Sequence, residues 1–164
     1  MIPGGEGPLS LLFVIPSLPP MGGAEVHAAR LAAALGRRGH AVTLLTMAGE
    51  FEPGLEPPSH PPGPRPRRRA YPLRIAGKLL GSRGSYDAAH FFLAGRHTSV
   101  GVLAAWLTGC PRVVMYGGTG TFSAQRASRR GRLALGVDVS LADRLIALNE
   151  EMRDSFRRCG APGR

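Results

Sequence analysis

Residues 9–15 read LSLLFVI, a run with one hydroxyl and no charge. A segment that short with no wet side predicts a central strand of a parallel sheet, covered by helices on both faces. Four more runs of strand length follow, at 40–46 (HAVTLLT), 86–93 (YDAAHFFL), 111–116 (PRVVMY) and 144–148 (RLIAL). The stretches between and after them have helical character. Residues 24–38 carry Val26, Leu31, Ala34 and Leu35 at near-helical spacing, with Gly39 as the C-terminal cap. Residues 73–80, 97–107 and 125–141 read as further helices, and 149–158 opens with a capping residue and two acids. Five strands alternating with five helices predict an α/β domain: an open, mainly parallel sheet with helices on both faces. Right-handed crossovers in such a sheet leave the strand carboxyl ends facing a ligand crevice, so the residues after each strand are the ones to examine.

Residues 48–72 break the pattern, with eight prolines and the run Arg67, Arg68, Arg69. No regular structure is expected there. A loop of that length is either a basic rim for an acidic acceptor or membrane, or a tolerated insertion. The chain holds 21 basic and 11 acidic residues, a net charge of +10, and every basic residue except Lys78 is arginine. Arginine forks match phosphate oxygens, so the balance fits an anionic partner; it fits equally a GC-rich coding sequence, given 23 glycines and 15 prolines. Cys110 and Cys159 have no metal-ligand spacing and read as free thiols in a reducing compartment, hence a cytoplasmic protein. The first apolar run is far short of the roughly 20 residues that span a bilayer and lacks a basic leader, so membrane contact is expected to be peripheral at most.

Gly22 and Gly23 end the first post-strand loop where a helix begins, and Glu25 follows. Glycines there let backbone N–H groups approach a phosphate at the positive end of the helix, though a double glycine also serves as a simple tight turn. No GxGxxG and no GxxxxGK[ST] occurs. Gly117, Gly118 and Thr119 follow the fourth strand and form the second candidate site. His90 is a candidate for the crevice, against its reading as a core histidine; Asn149 and Glu150 lie at the same sheet edge, where helix capping is sufficient to explain them. No Ser/His/Asp grouping, HExxH or Cys/His cluster is present, so no catalytic residue and no metal or other cofactor is assigned.

The segment 22–46, GGAEVHAARLAAALGRRGHAVTLLT, resembles the opening of family 4 glycosyltransferases, as 142–160, ADRLIALNEEMRDSFRRCG, resembles a later segment of that family. The resemblance implies the N-terminal, Rossmann-like half of a two-domain GT-B enzyme that retains anomeric configuration without an obligatory metal. It implies that Gly22 and Gly23 face the donor diphosphate, with Glu25 on the motif's acid serving either the helix start or the substrate. Gly117, Gly118 and Thr119 stand where many members have a histidine that touches the transferred sugar. The partners implied are a nucleotide-sugar, as substrate, and a glycan or lipid-linked acceptor. The basic pair and paired glutamates that hold the donor belong to a C-terminal half expected to lie outside residues 1–164. The expectation is an acceptor-side domain inactive alone, a fragment or a subunit completed by a separate donor-domain chain. The alternative is a non-catalytic module binding sugar nucleotides or nucleic acid; scattered arginines count against nucleic acid, and Thr46 at the end of the second strand counts against a nicotinamide enzyme.

Overall fold

The computed structural model describes residues 7–16, 22–51, 70–93, 95–117 and 127–159. In chain order the elements are β1 (Ser10–Val14), α1 (Gly23–Arg37), β2 (Ala41–Leu45), β3 (Glu50–Phe51), α2 (Tyr71–Gly81), β4 (Ala88–Phe92), α3 (Arg96–Thr108), β5 (Arg112–Met115), α4 (Arg129–Leu141), β6 (Arg144–Ile146) and α5 (Glu150–Arg158). They build one open sheet of order β3-β2-β1-β4-β5-β6, parallel throughout except for β3. The α/β class and the mainly parallel sheet are as expected.

The stretch 48–72 differs from expectation where it is described. Glu50 and Phe51 pair antiparallel with Leu45 and Leu44 and add a sixth strand at the sheet edge. At its other end α2 already begins at Tyr71, because Pro72 sits in the first helical turn, where a missing N–H costs nothing. Residues 52–69, with the three consecutive arginines, lie outside the described residues.

Handedness explains how the helices divide between the two faces. Among the parallel crossovers only the step from β1 to β2 moves toward the β3 edge; the steps to β4, β5 and β6 move toward the other, so right-handed crossovers put α1 alone on one face. Leu11, Phe13 and Ile15 accordingly pack with Ala28 and Ala32 of α1. Leu12, Val14, Phe91 and Val114 point the opposite way, into a larger core shared with α2, α3, α4 and α5. Contact between α2 and α3 is close because Gly101 has no side chain: a methyl there would overlap Phe91 and meet Ile75 Cγ2 at 3.0 Å.

The ends of the elements are tied by specific bonds. Gly39, at φ +87, closes α1 with its N–H on Gly36 O (3.0 Å) while His40 N–H returns to Leu35 O (3.1 Å), a Schellman pair that only a residue tolerant of left-handed backbone allows cheaply. At the amino edge, Asp87 Oδ2 accepts the Ser10 N–H and Asp143 Oδ2 accepts the Arg112 N–H, each at 2.7 Å, pinning the register of neighbouring strands. At the carboxyl edge the buried Tyr71 hydroxyl donates to Ile15 O (2.6 Å) and Leu45 O (2.9 Å). Since Leu45 O also accepts the Ile15 N–H, Tyr71→Phe strips only the Ile15 carbonyl. The expected cost is about 1 kcal/mol, measured by urea unfolding.

Candidate functional site

A cleft of about 360 Å³ opens at the carboxyl edge of the sheet, lined by Gly23, Ala24 and His27 of α1, by Met115 and Gly117 at the end of β5, and by Leu148 beyond β6. Elements far apart in sequence meet there because parallel crossovers return every strand in the same direction. Gly22 is the N-cap of α1, extended at φ −153, exposed, and without a side chain to cap the helix. The first-turn N–H groups therefore belong to the bend at the cleft and carry the positive end of the helix dipole.

The candidate residues separate clearly. Gly23 and Gly117 line the cleft, with Gly22 at its lip. Glu25 is 8% exposed and folds back: a methyl built on Gly22 would stand 3.0 Å from its Oε2, the position of an acid that serves the helix start. His90 lies within β4, not beyond it, with its ring stacked on Phe92 at 3.9 Å and set edge-on to Phe13 at 5.3 Å. Its Nε2 is buried without a hydrogen bond among the described residues, and burial, helped by the nearby His27, pushes its pKa down to about 4. Asn149 caps α5, accepting the Met152 N–H at 2.8 Å, and Glu150 is exposed beside Arg153 at 3.3 Å. Gly118 and Thr119 lie outside the described residues.

Three features of the site carried no assignment in the sequence reading. His27 is one helical turn beyond Gly23, and the i, i+4 spacing that places both on one face was the available signal. Leu93, just after β4, has φ +70, alone among described residues other than glycine. Its N–H bonds Met115 O at 2.9 Å, its carbonyl accepts the Thr98 hydroxyl, and its side chain fills the space that a methyl on Gly117 would need. Bulky residues in that backbone region are strained and persist where surrounding structure holds them. Third, Tyr116 anchors the loop from beneath: its hydroxyl donates to Asp138 Oδ2 at 2.7 Å and its ring packs on Phe156 at 5.3 Å. Burial raises the Asp138 pKa to about 6, against the opposing pull of the Tyr116 and Ser99 hydroxyls.

The lining thus offers backbone amides, one imidazole and three apolar side chains, with no carboxylate, hydroxyl or thiol side chain among its described residues. Among the described residues no group of three His, Cys, Asp or Glu side chains could hold a metal ion.

A parallel sheet whose carboxyl edge presents a glycine-opened helix N-terminus to a cleft defines a Rossmann-like domain. The sequence profile of Glycosyltransferase Family 4 matches residues 21–164, and the chain belongs to that family. No curated protein matches the chain in sequence.

Proposed function

We propose that this domain is the acceptor-side wall of a glycosyltransferase that moves a sugar from a nucleotide-sugar to a glycan or lipid-linked acceptor. The observation that carries the reading is the cleft at the carboxyl edge, where the glycine start of α1 and the Gly117 bend meet in one lining. At Gly23 a side chain would enter open space, so its absence leaves the helix start accessible, whereas at Gly117 the room for one is taken by Leu93. Transfer also demands stabilisation of charge on the departing diphosphate, and the described lining contains no lysine or arginine to supply it. In this reading that charge is supplied by a donor-binding half, in the same chain or in a partner.

Two measurements test this. Titration of the 164-residue chain with nucleoside diphosphates should shift the amide resonances of Gly22, Gly23 and Gly117; unperturbed resonances there at millimolar ligand would remove the basis of the proposal. Incubated with UDP-, GDP- or ADP-sugars and lipid-linked acceptors, the same 164 residues should give no turnover above background. Robust turnover by them alone would overturn the division of labour between two halves.

A further inference from the structure

Among the described residues, six of the eight large apolar side chains that stand exposed belong to one helical layer: Leu73 and Leu80 on α2, Leu103, Trp106 and Leu107 on α3, and Leu133 on α4. Leu103, Trp106 and Leu107 fall at i, i+3 and i+4, so on α3 they form one patch, with Trp106 half exposed. The charges of the same layer are equally one-sided. The three helices carry six cations, Arg74, Lys78, Arg96, Arg129, Arg130 and Arg132, and their one acid, Asp138, is fully buried. Of these six, Lys78 is engaged by Glu50 of β3 at 2.7 Å.

The placement of these cations runs against helix electrostatics. The N-terminal half of a helix dipole favours acids, and α1 and α5 obey, with Glu25 in one first turn and Glu150 and Glu151 in the other. None of α2, α3 and α4 has an acid in its first turn. Arg74, Arg96, Arg129 and Arg130 stand there instead, each at some cost to its helix. Because helices of a parallel sheet run opposite to the strands, these first turns lie at the carboxyl edge, toward the cleft. Arg74 also bonds the Thr46 carbonyl and lies over the Tyr71 ring, but the layer that gathers the first-turn arginines is the same layer that exposes the leucines and the tryptophan.

From this coincidence we propose that the outer face of α2, α3 and α4 docks on an anionic bilayer surface, Trp106 and its leucine neighbours entering the headgroup boundary and the first-turn arginines contacting lipid phosphates. Apolar insertion and basic charge are the two signals that together give peripheral attachment where either alone is marginal. No described helix is long and apolar enough to cross a membrane, so the attachment is to the surface. The cleft then opens beside the headgroups.

Trp106 is the single tryptophan of the chain and reports directly. Vesicles of equimolar phosphatidylcholine and phosphatidylglycerol should shift its emission to shorter wavelength and sediment the full chain at low salt; pure phosphatidylcholine should do neither. Leu107→Glu, an exposed position that leaves the core untouched, should weaken binding at least roughly tenfold, and Arg129→Gln with Arg130→Gln roughly thirtyfold, about fivefold for each cation lost. Circular dichroism establishes that each variant is folded. Absence of binding to the anionic vesicles overturns the proposal. So does binding that leaves Trp106 emission and the Leu107→Glu variant unaffected, which would assign the lipid contact to another part of the chain. A blue shift that depends on protein concentration without lipid would assign the patch to a second copy instead and equally overturn it.

Discussion

Gly101→Ala is expected to lower the stability of the fold by about 2 kcal/mol, although alanine is the best helix former and glycine among the poorest. The propensity gain of about 1 kcal/mol applies at open positions. At Gly101 the new methyl overlaps the Phe91 ring and crowds Ile75, both fully buried between α2, α3 and β4. Overpacking of a rigid core costs about 1–3 kcal/mol, and overlap with a fixed aromatic ring puts this site at the upper end, about 3 kcal/mol against the gain of about 1. In thermal unfolding the loss corresponds to a midpoint lower by about 4–8 °C. Phe91→Leu made in the same chain should recover part of the loss, giving a coupling of at least about 1 kcal/mol in the double-mutant cycle. Additive effects would mean that the two residues do not compete for space.

Asp138 and His90 should impose opposite pH dependences on the stability of the fold. The Asp138 carboxyl is raised from its ordinary value of 3.8 to about 6 by burial, so its protonated form favours the fold. That contribution is complete below about pH 4 and is lost as pH rises through 6, amounting to about 3 kcal/mol. His90 is lowered from 6.5 to about 4, first by burial and then by His27, so its neutral form favours the fold. Its contribution is complete above 6.5 and is lost, by a similar amount, as pH falls toward 4. Asp138→Asn keeps an acceptor for Tyr116 and removes one of the two titrations. The variant should therefore lose about 3 kcal/mol relative to wild type on acidification from pH 7 to 4, read from urea midpoints at each pH. His90→Leu should tilt the profile the other way, with a shallower slope because His97, also held low by burial, still titrates on the histidine side. Parallel wild-type and Asp138→Asn curves would show that the carboxyl is not displaced.

The elements that could be read from the chain are those whose signal is local. Uniformly apolar runs such as 9–15 and 40–46 can be satisfied only inside a covered sheet, and the Gly22-Gly23 bend falls where the first of them must turn into a helix. A strand of two residues has no such signal: β3 exists because Glu50 and Phe51 reach the open edge of β2 while Phe51 packs under α1, a decision made by tertiary contact. Tyr71 and Pro72 were absorbed into the proline-rich loop because proline in a first turn and proline outside a helix look alike. At the site, glycines were visible but their neighbours were not. Leu93 owes its importance to a positive φ that leucine does not advertise, and Asp138 hides in a helix whose arginines dominate its composition, although Leu135, Asp138 and Val139 share one buried face. His90 shows the converse, a residue type associated with chemistry that the sheet places between aromatic rings.

The position of β1 has a consequence for synthesis. It is the first strand made, yet it lies inside the sheet, hydrogen-bonded to β2 on one side and to β4 on the other. Its partner on the first side ends at Leu45, but the residues that close the second side, 88–91, begin only 43 residues after that. Until then a nascent chain carries a ribbon of leucine, phenylalanine and valine with one row of amides and carbonyls unpaired, the geometry that recruits foreign strands. Any polypeptide truncated before Ala88 keeps that margin open permanently.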